Sequence, residues 1–89
     1  SELEYSVYWW DDHDKYVRDA NGVSAEDAIR RAHGIANSVG AKAGVVRRIM
    51  ITNAGDECEW EWTAEGGIVF PPELRGPARP CPPKSEGSP

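Results

Sequence analysis

Four neighbouring residues, Asp11, Asp12, His13 and Asp14, crowd oxygen and nitrogen donors into one short stretch. Such a cluster is the kind that can hold a divalent cation. A calcium loop of the EF-hand type, however, spaces its ligands over twelve residues and closes on a glutamate. That spacing is absent, so the stretch reads as a hydrophilic hairpin turn, and no metal ligand is assigned. His13 and His33 stand at no metal-ligand spacing from Cys58 and Cys81. Gly40-Ala41-Lys42-Ala43-Gly44 has the small residues of a phosphate cradle. A phosphate loop follows a strand and opens a helix, whereas this stretch follows a helix and opens a strand, so it reads as a connection.

Nucleophilic chemistry finds no better footing. Cys58 falls inside an alternating apolar pattern that points it inward, and Cys81 lies among prolines. A reactive thiol needs an electropositive, partly open setting. Acid–base work by a carboxylate needs an apolar pocket that shifts its pKa, and no carboxylate is marked out for one. The chain is therefore expected to be no enzyme and to carry no cofactor.

Two surfaces are more promising. Glu57, Glu59 and Glu61 alternate along one predicted strand, which would set three carboxylates on one face about 7 Å apart. They could meet a basic partner, imitate nucleic-acid phosphates, or simply keep a sheet edge solvated. The second surface is apolar. Trp9 and Trp10 are adjacent in a strand, so one of them must leave the core side. Together with Tyr8, Val46, Arg48 and Met50, Trp10 would make an aromatic patch beside the glutamates, suited to a protein partner or a second copy of the chain.

The elements that must position these residues follow from periodicity. Ser24 is a good helix N-cap, with Asp27 three residues on. Ala25, Ala28, Ile29, Ala32, Ile35, Ala36 and Val39 then mark one apolar stripe. Glu26 with Arg30 and Asp27 with Arg31 form i,i+4 pairs, and Gly40 is placed to close the helix in a left-handed cap. Strands are expected over 4–10, 15–19, 45–52, 57–63 and 68–70, with turns at 11–14, 53–56 and 66–67. The order is β-β-α-β-β-β: a two-layer α+β domain, one helix packed on a mainly antiparallel sheet of four or five strands.

The 45–63 hairpin can be threaded residue by residue. A four-residue loop sets Thr52 opposite Glu57, Ile51 opposite Cys58, Ile49 opposite Trp60, Arg47 opposite Trp62 and Arg48 opposite Glu61. Val45, Arg47, Ile49, Ile51, Cys58, Trp60 and Trp62 then share the core side, with Arg47 stacked on Trp62 near its edge. Val46, Arg48, Met50, Thr52 and the three glutamates share the other.

All seven prolines lie at position 71 or beyond. Residues 1–70 carry 7 basic and 13 acidic residues, net −6, and residues 71–89 carry 3 and 2, net +1. This break predicts a domain over 1–70 and a flexible proline-rich tail over 71–89, too poor in apolar side chains to offset its ordering entropy. Within the tail, Pro77-x-x-Pro80 and Pro80-x-x-Pro83 have polyproline II spacing, although the neighbouring basic residues miss the usual offset of such ligands.

The whole chain of 89 residues has net charge −5, which disfavours direct nucleic-acid binding and anionic membranes. No apolar run is long enough to span a bilayer, and the first ten residues lack the pattern of a signal peptide. With two cysteines in unsuitable places for a disulfide, a reducing cytoplasm is the expected setting. The reading is a small non-catalytic interaction module, a homodimer among its options. The alternative is an acidic inhibitor that imitates nucleic-acid charge against a basic nucleic-acid-handling protein.

Overall fold

A computed structural model of the chain describes residues 4–71. It has the expected α+β architecture. Five strands, β1 (Tyr5–Asp11), β2 (Tyr16–Val23), β3 (Val46–Thr52), β4 (Cys58–Thr63) and β5 (Gly67–Phe70), form one sheet in the order β2-β1-β3-β4-β5. Every neighbouring pair is antiparallel. Helix α1 (Ala25–Ala36) lies across β1 and β3 on one side, and a single-turn helix α2 (Val39–Lys42) follows it. None of these helices is long and apolar enough to cross a membrane. The proline-rich segment beyond Pro71 lies outside the described residues.

Helix α1 starts where its capping chemistry puts it. Ser24 has extended backbone angles and its hydroxyl accepts the Asp27 N–H at 3.1 Å. Ala28, Ala32 and Ala36 are buried, and their small side chains let the helix approach the sheet closely. Beneath them lie Val7, Ile49, Ile51 and Trp60, the largest fully buried side chains. Trp62, Ile68 and Val46 complete the core, and Trp9, Ile29 and Ile35 pack around it.

The far end of α1 departs from the expectation. The helix stops at Ala36, three residues before Val39, and Gly40 is not its cap. Asn37 caps it instead: its backbone N–H and its Nδ2 both donate to the His33 carbonyl, at 3.0 and 2.9 Å. Ser38 then restarts the chain as α2, its Oγ donating to the Ile35 carbonyl and accepting the Ala41 N–H. Short polar side chains compete with the helix for its terminal backbone groups, and here two in succession win. Val39 is 83% exposed, outside the stripe to which periodicity assigned it. The left-handed residue is Gly44, at φ +86°. The helix ion pairs also re-sort: Arg30 pairs with Asp27, and Arg31 reaches Asp19 on β2 at 3.3 Å.

The hairpin register differs too. Thr52 faces Cys58, Ile51 faces Trp60 and Ile49 faces Trp62, with a bulge between the first two pairs. Five residues, 53–57, connect the strands instead of four, and Asn53 Oδ1 holds this loop by accepting the N–H groups of Gly55 and Glu57. Beyond the bulge the slip amounts to two residues. With a side-chain period of two, Trp60 and Trp62 stay on the core side as expected. At Cys58 the slip is a single residue, so the cysteine sits in the Thr52 row rather than under the helix.

A second bulge corrects Val46. Trp10 pairs with Arg48 while Asp11 pairs with Val46, leaving Arg47 as the extra residue. The strand therefore changes sides before Arg47. Val46, expected on the outer face, is only 4% exposed and packs toward Gly40, whereas Val45 is exposed. Arg47 pairs with Glu65 instead of stacking on Trp62.

Candidate functional site

Both helices lie over one face of the sheet, and among the described residues no helix covers the other. The pairings thread that second face into rows. Arg18, Tyr8, Met50, Glu61 and Phe70 form one row; Tyr16, Trp10, Arg48 and Thr63 form the next; Asn21, Ser6, Thr52 and Cys58 form a third. The first two rows contain five of the eight residues that the sequence nominated for a partner surface: Tyr8, Trp10, Arg48, Met50 and Glu61. Glu57 and Glu59 stand outside these rows, at the turn end of the hairpin, and Val46 belongs to the core.

The aromatic part is built by the β1–β2 hairpin. Asp11 closes its turn by accepting the His13 and Lys15 N–H groups at 2.8 and 2.9 Å. The bond from the Lys15 amide, with a smaller contribution from that of His13, holds the Asp11 carboxyl below its ordinary pKa. The stretch 11–14 thus acts as a turn. Among the described residues, no group of three His, Cys, Asp or Glu is arranged to hold a metal ion. The turn brings Tyr16 directly opposite Trp10. Their ring centroids are 5.7 Å apart, Trp10 and Tyr8 are 6.5 Å apart, and Tyr8 and Tyr16 are 5.9 Å apart. All three pairs are tilted, with interplanar angles of 41°, 53° and 35° in chain order. Tilted rings at these distances are in the favourable range for aromatic pairs, and they leave furrows between them.

Arg48 forms the wall of this cluster. Its guanidinium carbon lies 4.8 Å from the Trp10 ring centroid, and its Nε donates to Glu61 at 2.7 Å. A cation stacked on an indole and anchored by a carboxylate has little freedom left. Met50 lies between the tyrosine and glutamate strands, half-buried, while Tyr16 is 62% exposed and Phe70 41%.

The acidic ladder is less regular than alternation implied. Glu61 belongs to Arg48. Asn53 Nδ2 donates to Glu59 at 2.6 Å and to Glu57 at 3.3 Å, and the bulge at Glu59 breaks the row. Glu57 and Glu59 remain exposed at the turn end of the hairpin.

Tyr16 and Phe70 were missed from sequence. Residues 15–19 alternate weakly, and an isolated phenylalanine before the prolines looked like a strand end. Tyr16 faces Trp10 because three residues, 12–14, turn the chain between Asp11 and Lys15; the turn expected at 11–14 would have set Lys15 there.

Polar groups inside the core form a second feature of interest. His33 is 2% exposed and packs on Trp60, ring centroids 5.5 Å apart. Among the described residues, neither His33 ring nitrogen nor Trp60 Nε1 has a hydrogen-bond partner, and burial pushes the histidine pKa down. Cys58 is likewise pushed up, mainly by burial, so its sulfur stays a thiol, donating weakly to the Trp60 carbonyl at 3.5 Å.

Comparison of the chain with protein-family models, curated proteins and solved structures gives no match in any of the three. The site is therefore read from its own geometry.

Proposed function

We propose that this protein is a non-catalytic interaction module, and that the helix-free face of its sheet is the surface that meets a protein partner, a second copy of the chain being the simplest one. One observation carries the reading: Tyr8, Trp10 and Tyr16 are gathered on the open side of the sheet with Arg48 fixed against them. Aromatic residues, methionine and arginine are the side chains enriched at interface centres. Left in water, this cluster forgoes the burial that such large side chains supply elsewhere in the fold.

The charge-imitation alternative draws less support. It needs a line of free carboxylates, and Glu61 is neutralised by Arg48 while Asn53 engages Glu57 and Glu59.

Sedimentation of the chain over a range of micromolar concentrations tests the reading, repeated with Trp10→Ala and Met50→Glu. Self-association that disappears in both variants, with unchanged circular dichroism, is the expected result. Equal association in all three proteins would place the contact elsewhere and remove the face as the interaction surface.

A further inference from the structure

On the helix side of the sheet, opposite the aromatic face, a groove of about 490 Å³ lies between α1 and the strands. We propose that it binds a free α-amino acid with an apolar side chain. The ligand's carboxylate sits on Arg31, its ammonium group on Asp19, and its side chain against Trp9, Ile35 and Val46. This site is separate from the open face and independent of the reading given for it.

Helix spacing builds one wall. Arg31, Gly34 and Ile35 stand at i, i+3 and i+4 and share a flank of α1, beside the buried Ala28, Ala32 and Ala36. The sheet supplies half-buried Trp9 from β1 and buried Val46 from β3. The lining is mainly apolar, and the volume falls within the roughly 300–1,000 Å³ of small-ligand sites.

Gly34 keeps the groove open. A Cβ at this position would meet nothing within 4 Å, so close packing does not require a glycine there. Its backbone is helical, and a glycine inside a helix costs stability relative to alanine. The position faces the groove, where a larger side chain would take up the space a ligand needs.

Charge at the rim selects the ligand. Arg31 Nη1 donates to Asp19 Oδ2 at 3.3 Å, longer than the roughly 2.7–2.9 Å of a tight charge-assisted bond. Both side chains are partly exposed, and among the described residues neither makes another side-chain hydrogen bond. Most guanidinium donors and carboxylate acceptor sites are thus available. A ligand with a single charge would satisfy one member of the pair and set a like charge beside the other. A zwitterion matches both. Its carboxylate can take two parallel N–H bonds from Arg31 while its ammonium group meets Asp19. In an α-amino acid one carbon separates these groups, which suits partners this close, and the side chain is left to enter the apolar part.

The test is an NMR titration of the full 15N-labelled chain, reading the Gly34 amide and the Trp9 indole N–H, the latter assigned by its loss in Trp9→Phe. L-Phenylalanine and L-leucine are the probes. Both should give saturable shifts at Gly34 and Trp9, with Kd on the order of 0.1–1 mM for so small a ligand in an open groove. The Trp10 indole, on the opposite face, should stay in place. N-acetyl-L-phenylalanine and L-phenylalaninamide each lack one charge and should bind roughly tenfold or more weakly. Asp19→Asn and Arg31→Gln should each weaken L-phenylalanine by a similar factor. Gly34→Leu should remove the shifts, and Gly34→Ala, which keeps the helix, should reduce affinity. No saturable shift with either probe up to about 20 mM would overturn the proposal. Equal binding of the singly charged analogues would also overturn it, since the ion pair would then play no part. So would undiminished binding by both Gly34 variants, which would place the site elsewhere.

Discussion

His33 offers the sharpest test of the core. The perturbation is His33→Leu, which replaces both ring nitrogens by carbon at similar volume. In the folded chain these nitrogens are buried against Trp60 without partners among the described residues, and burial lowers the histidine pKa from 6.5. The unfolded chain takes up a proton near the ordinary value, whereas the folded chain takes it up only at lower pH. Between the two values the unfolded state holds the extra proton, so stability is complete above about pH 6.5 and falls as pH falls through that window. One proton changes stability by at most about 1.4 kcal/mol per pH unit, which bounds the loss between pH 6.5 and 5 at about 2 kcal/mol. For a domain of this size that corresponds to roughly 8–16 °C in Tm.

Urea denaturation of both proteins at pH 7.5, 6.5, 5.5 and 5.0 provides the assay. Carboxylate titration is common to the two chains, so the difference between them isolates His33. The variant should be more stable at pH 7.5, by about 1–3 kcal/mol for relief of unpaired buried nitrogen, and its advantage should grow on acidification. Equal pH slopes in the two proteins would refute the argument, as would a variant less stable than the parent at pH 7.5.

Other substitutions probe the remaining elements. Gly34 sits in α1 with nothing within 4 Å of where a Cβ would stand, so Gly34→Ala should stabilise the fold by about 0.5–1 kcal/mol in the same urea assay. Gly44 has equal space but φ +86°, and Gly44→Ala should instead destabilise by about 1–2 kcal/mol. Trp60→Ala should cost about 3–5 kcal/mol, as expected for a fully buried aromatic, while Trp10→Ala on the open face should cost about 1 kcal/mol or less by thermal melting. The Cys58 thiol, its pKa raised by burial, should react with a disulfide reagent at pH 7.5 at least tenfold more slowly in the folded chain than in urea; Cys81→Ser keeps the readout to one sulfur.

The two kinds of information divide along physical lines. Ser24 before an alanine stripe, and indoles alternating with glutamates, are local patterns. They specified α1, the strand that buries Trp60 and Trp62, and the α+β class, because side-chain period and capping depend on nearest neighbours alone. Aromatic residues too numerous for one side of β1 also announced that some of them would face away from the helix.

What needed the tertiary structure is whatever depends on a competition or a shift of one residue. Asn37 and Ser38 take the backbone bonds that would have carried α1 to Val39, and no periodicity weighs that contest. A bulge at Arg47 turns Val46 inward, and another at Glu59 moves Cys58 to the opposite row from the one expected. Bulges follow from how twisted strands fit one another, so a linear count carries no record of them. The partnership of Arg48 with Trp10 belongs to the same class, since it joins strands separated by the whole of α1 and exists only once β3 lies beside β1.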